Sequence, residues 1–198
     1  MIPETKEQPA TVEGSAGVFV IDGRSSRFTV RAVAAGMLSA MGHNPTIGIR
    51  DFSGELKFSP EQLNAGAFRL AIRSSSLAVQ DDISDRDRRE MERLMNEEVL
   101  ESAKFPEILY ESAQISVSTM GDALYSAQMN GELTLHGIKR SVPITARVAM
   151  MGSMLRASGN FALRQSDYGI KPVTVAGGAL KLKDELKFSF EVVARKQE

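Results

Sequence analysis

His43 and His136 are the two imidazoles of a 198-residue chain that contains no cysteine. Imidazole is the side chain best suited to move a proton near neutral pH, so any acid–base chemistry here would run through one of these two. His43 lies in Gly42-His-Asn-Pro45, a tight bend. It could serve there as acid, base or ligand at the mouth of a cavity, or simply hold the bend together by hydrogen bonding. His136 lies in Leu135-His-Gly137, a turn between two strand-like segments, where a hydrogen bond to the turn backbone is the expected role. A metal site takes three or four ligands at recognisable spacing, which two isolated histidines do not supply. Without cysteine there are no disulfides and no thiol catalysis. Asp81-Asp82 and Asp85 could flank a cation, but acids are favoured in front of a helix in any case. The chain has no Gly-x-Ser-x-Gly elbow, P-loop or dinucleotide fingerprint, and Gly177-Gly178 reads as a hairpin connection. No catalytic residue, metal or cofactor is expected. Binding is the use left open.

The elements that would do the binding are strands. Tyr125, Ala127, Met129, Gly131, Leu133 and Leu135 share one parity of a segment whose other parity is Ser126, Gln128, Asn130, Glu132 and Thr134. Val142 to Met150, Leu155 to Leu163 and Leu186 to Ala194 repeat the pattern. Successive strand side chains point to opposite faces, so each segment builds one apolar and one polar wall. Earlier strands are expected over Gly17–Asp22, Arg27–Val33, Thr46–Ser59, Ala67–Arg73, Ile108–Ser112 and Gln114–Ser118. The apolar parity switches between Ile49 and Phe52, and Ser53-Gly54 offers the place for a bulge. Ala34–Gly42 reads as a short helix or compact loop.

One helix is expected over about 84–102. Ser84 and Asp87 form an N-cap pattern, and Met91, Leu94, Met95 and Val99 recur at helical spacing. Its charged first half reads as a solvated face with local ion pairs worth about 0.2–0.5 kcal/mol each. The other reading makes Arg88, Arg89 and Arg93 a patch for a protein partner. About eight strands with one helix inserted favour an antiparallel barrel over an open sheet.

A net charge of -1 and the lack of a basic stripe with interleaved aromatics argue against nucleic acid as a partner. No apolar run approaches the roughly 18–20 residues that span a bilayer. The first ten residues carry acids and prolines rather than the basic start and apolar run of a signal peptide. A cytoplasmic location is expected for the chain as written, and a periplasmic one if a signal has been removed. Residues 1–16 read as a flexible lead-in to a single domain over 17–198.

Five segments carry a family resemblance. Gly131-Glu-Leu-Thr-Leu-His-Gly-Ile-Lys-Arg-Ser-Val-Pro143 resembles the G-x-L-T-L-x-G hairpin of the YceI-like, polyisoprenoid-binding proteins. Phe161-Ala-Leu-Arg-Gln-Ser-Asp-Tyr-Gly-Ile170 is similar to their later segment ending in aromatic-Gly-aliphatic. Glu101-Ser-Ala-Lys-Phe-Pro-Glu-Ile-Leu-Tyr-Glu-Ser112 looks like their Pro-led strand start, and Val20-Ile-Asp22 with Arg27-Phe-Thr-Val30 looks like their opening. Phe19 stands where the family usually has Trp, and Asp85-Arg-Asp-Arg-Arg replaces its usual Asp-x-His-Leu.

The resemblance implies an eight-stranded antiparallel barrel, lipocalin-like in outline, that holds a long isoprenoid or acyl chain and often forms a homodimer. The candidate lining is Phe28, Val30, Phe68, Leu70, Tyr110, Tyr125, Ala127, Met129, Ala146, Val148, Ala157, Phe161, Phe188 and Phe190. The small residues among them, together with Gly131 and Gly159, are expected to make room for the ligand. Barrels also alternate large and small residues merely to pack, and each candidate is equally a core residue. Tyr110 and Tyr125 could offer a hydroxyl to a head group, or spend it inside the core. The function expected is non-enzymatic binding, sequestration or transport of a long-chain amphiphile: a polyisoprenoid, an isoprenoid quinone or a fatty-acyl compound. A ligand-free scaffold barrel is the alternative.

Overall fold

The computed structural model describes residues 17–35, 44–58, 66–175 and 180–197. Its strands come largely in bent pairs. β1 (Gly17–Ile21) leads through a turn into β2 (Arg27–Arg31), and β3 (Ala34–Ala35) is a two-residue strand beyond it. β4 (Thr46–Ile49) continues into β5 (Phe52–Phe58), and β6 (Ala67–Arg73) continues through a 3-10 turn at Ser74–Ser76 into β7 (Leu77–Val79). Helix α1 (Asp85–Leu94) ends in a wide turn, Met95–Val99. β8 (Glu107–Ser112) and β9 (Ile115–Gly121) again form one bent strand. β10 (Leu124–Leu135), β11 (Ile138–Met151) and β12 (Met154–Arg164) are long and unbroken. β13 (Thr174–Val175) and β14 (Leu180–Leu182) make a small sheet with β3, and β15 (Glu185–Lys196) ends the fold.

Every pairing is antiparallel and joins neighbours in this series. The β1–β2 unit pairs with β5 and β4, and that unit pairs with β6 and β7. β6 pairs with β8, β8 and β9 with β10, and the hairpins β10–β11 and β11–β12 lead to β15. β15 then returns to both β1 and β2, which closes an eight-stranded antiparallel barrel. Among the described residues, closure leaves strand edges only where the ring splits at one end, at β7 and β9, which do not pair with each other.

The alternation of the sequence is the alternation of the wall. Along β10 the residues Ala127, Met129, Gly131, Leu133 and Leu135 are buried, while Gln128, Asn130 and Glu132 are exposed. Along β11 the buried set is Val142, Ile144, Ala146 and Val148.

Four expectations need correction or sharpening. The bend between Ile49 and Phe52 lies at Arg50-Asp51, not at Ser53-Gly54. Ile49 pairs with Leu77 and Phe52 with Ile72, so two residues on one strand face four on the other, taken up by the 3-10 turn. Gly54 sits in mid-strand because a Cβ there would come within 2.6 Å of Ile21 and 2.8 Å of the Arg69 carbonyl. Ala34–Ala35 is strand, and the rest of the expected helix or loop, 36–42, lies outside the described residues. The strand placed at Gln114–Ser118 runs over Ile115–Gly121.

The fourth concerns the charged helix. Ser84 caps α1, its hydroxyl accepting from the Asp87 amide at 3.1 Å. The helix then covers the free edge of β7. Glu92 accepts from the Val79 amide at 3.0 Å, while Arg88 donates to the carbonyls of Val79 at 2.6 Å and Asp81 at 2.9 Å. Arg88 therefore completes a strand edge. Arg93 bridges Glu90 at 2.8 Å and Glu97 at 2.6 Å, as a local ion pair network should. Ser74, 1% exposed, marks where β7 and β8 part: its hydroxyl donates to the Phe105 carbonyl at 2.7 Å and its amide to the Pro106 carbonyl at 2.9 Å. Among the described residues no helix is long and apolar enough to cross a membrane.

Candidate functional site: a cavity within the barrel

The inner wall does not close completely. A cavity of about 190 Å³ remains along the axis, and all fourteen residues of the expected lining border it. β2 contributes Phe28 and Val30, β6 Phe68 and Leu70, and β8 Tyr110. Tyr125, Ala127 and Met129 come from β10, Ala146 and Val148 from β11, Ala157 and Phe161 from β12, and Phe188 and Phe190 from β15. Alternation brings them together because a closed barrel turns one parity of every strand inward. Val99 and Leu100, from the turn after α1, and Gln165 and Ile170, beyond β12, also border the cavity. Period-two reasoning misses these because they do not lie in strands.

The aromatic residues form contacts around the space. Phe161 and Phe188, direct cross-strand partners, stack at 4.8 Å with planes 10° apart. Phe28 meets Phe52 edge-on at 4.8 Å and tilts against Phe190 at 6.4 Å. Tyr125 meets Phe58 edge-on at 5.9 Å.

The small residues divide into two groups. Ala127, Ala146 and Ala157 border the cavity and give it width. Gly131 and Gly159 do not. A Cβ at Gly131 would fall 2.5 Å from the Tyr110 hydroxyl, and one at Gly159 would fall 2.6 Å from the Phe190 ring. Both glycines make room for an aromatic ring from a neighbouring strand, which corrects the expectation that they make room for a ligand.

Polar groups in the wall are already engaged. The Tyr110 hydroxyl donates to the Val142 carbonyl at 3.0 Å, so it is spent within the barrel. Burial pushes its pKa up to about 12, opposed in part by the Gly131 amide. Gln165, itself buried, donates from Nε2 to the Lys183 carbonyl at 3.0 Å. Among the described residues no buried side-chain nitrogen or oxygen lacks a partner. A polar ligand would lose its hydration and gain nothing in return, whereas a hydrocarbon loses nothing. Volume sets the second limit. An engineered apolar cavity of roughly 150 Å³ stays dry and takes a benzene, and ordinary ligand pockets run to about 300–1,000 Å³. A long chain would have to push side chains aside to enter.

His136 sits at one end of the barrel, away from the cavity wall. Its Nε2 lies 2.6 Å from Glu101 Oε2, and its Nδ1 lies 3.3 Å from the Tyr168 carbonyl. Its ring packs on Phe105 at 4.4 Å. His136 and Glu101 both adopt left-handed backbone, at φ 52° and 45°. Such positions are uncommon for these residue types and persist where the surroundings enforce them. The imidazole thus joins three segments: its own turn, the end of the helical insertion and the 3-10 turn after β12. It was expected to bond its own turn, and instead it bonds across to neighbouring segments. His43 and Gly177-Gly178 lie outside the described residues. Asp81 is occupied as well, its carboxylate accepting from the Thr46 amide at 3.0 Å. Among the described residues no cluster of three His, Cys, Asp or Glu side chains could hold a metal ion.

Among solved structures, BcnA of Burkholderia cenocepacia superposes with a TM-score of 0.66 at 18% identity, over 87% of this chain and 98% of its own. A polyisoprenoid binding domain from Saccharophagus degradans, implicated in plant cell wall breakdown, gives 0.66 at 14% identity, over 92% and 100%. The YceI protein of Campylobacter jejuni gives 0.56 at 16% identity, over 77% and 85%. At these identities the likeness is one of fold. No curated protein matches the sequence. The model of the YceI-like domain matches residues 19–194, which is nearly the whole described barrel. The chain belongs to the YceI-like domain family.

Proposed function

We propose that the barrel binds the apolar chain of a long-chain amphiphile, a polyisoprenoid, an isoprenoid quinone or a fatty-acyl compound, and sequesters or carries it without chemical change. The observation that carries this reading is the axial cavity, walled largely by apolar side chains, with no unpartnered buried side-chain nitrogen or oxygen among the described residues. Such a site selects by desolvation. Each Å² of hydrocarbon it covers is worth about 25 cal/mol, so a long chain needs no polar contact to be held. The Saccharophagus degradans domain with the same fold is described as polyisoprenoid binding, which agrees with this ligand class. Organic extraction of the purified protein followed by mass spectrometry tests it: one long-chain molecule per barrel is expected, and clean extracts from protein made in a lipid-containing host would sink the reading.

A ligand-free scaffold barrel is the second reading, favoured by the modest 190 Å³ of free space. It predicts clean extracts and a thermal melting temperature unmoved by added isoprenoid or acyl compounds. The homodimer implied by the family resemblance belongs to either reading, and sedimentation velocity on the full chain tests it directly.

A further inference from the structure

Three large apolar side chains stand exposed among the described residues: Met120 at 55%, Leu124 at 39% and Met151 at 45%. All three lie at one end of the barrel, on the tips of the adjacent hairpins β9–β10 and β11–β12. The register places them together. Leu124 pairs with both Gly121 and Ala149, and Met151 pairs with Met154 across the next tip. On the outer face Arg156 pairs with Ala149, in the same row as Leu124 and one row behind the Met151–Met154 tip; one row further on, Arg147 pairs with Ser126 and Ser158. Both arginines are exposed. Strands rise about 3.3 Å per residue, so Arg156 sits about 7 Å behind the Met154 tip and Arg147 about 13 Å behind Met151, less the strand tilt. The polar layer of a bilayer leaflet is about 5–8 Å thick. The Met151 tip would thus reach the acyl boundary while Arg156, level with Leu124, lies at the phosphates and Arg147 reaches toward them from the row behind. Asp122 at the turn is the one acid on these two tips.

The same tips are continuous with the cavity. Tyr125, Val148 and Leu155 line it, each one residue from Leu124, Ala149 or Met154. A carrier of water-insoluble chains must collect and release them at a surface where they are dissolved. We propose that the β9–β10 and β11–β12 tips dock this protein on an anionic phospholipid surface, with Met151 inserted deepest, Met120 and Leu124 at the acyl boundary and the Arg156 and Arg147 guanidinium groups on the phosphates. The inference rests on the cavity reading for its purpose and on the tips for its geometry.

The test is sedimentation of the full-length protein with vesicles of phosphatidylglycerol and phosphatidylcholine, and with phosphatidylcholine alone. Wild type should bind the anionic vesicles. The combined Met120→Ser, Leu124→Ser and Met151→Ser variant should bind at least tenfold less, as should Arg147→Glu with Arg156→Glu. Raised salt should weaken wild-type binding. These positions lie on the outside, so circular dichroism should show both variants folded, and extraction should recover the same cargo from them as from wild type. Wild type that carries cargo but ignores vesicles, or a triple variant that binds as wild type does, overturns the docking surface and leaves the cavity reading standing. Tip-dependent vesicle binding by a protein with empty extracts supports the surface and removes the cavity reading. A dimer that falls to monomer in the triple variant, without vesicle binding, assigns the tips to a second copy and overturns the proposal.

Discussion

Gly131 and Ala127 share one face of β10, yet they play opposite parts. Ala127 borders free space, and Gly131 lies under the ring of Tyr110. Enlarging each should therefore have opposite consequences. Gly131→Ala drives a methyl into Tyr110 and should cost about 1–3 kcal/mol, the usual range for overpacking. Pairing it with Tyr110→Leu should recover part of that loss in a urea melt; no loss in the single variant would contradict the assignment. Ala127→Leu or Ala146→Leu instead grows into the cavity. Stability should hold within about 1.5 kcal/mol while captured ligand falls. Tyr110 also sets a limit at high pH. Its folded pKa lies near 12, above the unfolded value of about 10. The neutral phenol is the form the fold favours, so its stabilising share is complete below about pH 10 and is lost as pH rises through 12. Phenolate absorbance should show Tyr110 ionising with unfolding in that window, and Tyr168, whose phenol burial also pushes up, ionising late as well. An ordinary titration of all three tyrosines near pH 10 would contradict their burial.

The elements show where sequence periodicity speaks and where it falls silent. The inward parity of β10, β11, β12 and β15 was legible in the sequence because a closed barrel turns one parity of each strand inward. Phe161, Phe188 and Phe190 are nevertheless only half-buried there, and Val193, on the outer parity, is buried. The site of the bend between β4 and β5 was not. The parity switch between Ile49 and Phe52 was visible, but the surplus residues that cause it sit on the partner strand, at Ser74–Ser76. The role of the two glycines was hidden for the same reason, since a glycine looks the same whether a ligand or a neighbour's ring lies over it. The charged helix read as solvated, and most of it is, but Arg88 is spent on the edge of β7. Removing one partner of a half-buried hydrogen bond leaves the other unpaired, at about 1–3 kcal/mol. Arg88→Ala should lose that much in denaturant titration, while Arg89→Ala, exposed on the same helix, should stay within about 0.5 kcal/mol. Equal effects would mean that the helix does not seal the sheet.

At the scale of the molecule, the barrel class followed from the number of alternating segments, and closure from β15 meeting both halves of the first bent strand. The alternation named the inward residues, and the family resemblance supplied the expectation that the barrel they line is hollow. What the sequence could not carry was the amount of space left inside, which depends on how far Phe161, Phe188 and Phe190 swing into the lumen. The free volume of 190 Å³ admits a short apolar segment at once and a long chain only after the wall yields. Such yielding is a property of side chains with alternative rotamers, and Met129 and the stacked phenylalanines are placed to supply it. The most direct measurement of the central claim is therefore cargo per barrel, by extraction and mass spectrometry, in wild type and in the Ala127→Leu, Ala146→Leu double variant. The account predicts close to one long-chain molecule per wild-type barrel and at least a tenfold loss in the folded double variant. Empty wild-type extracts, or the same cargo in both proteins, would contradict it.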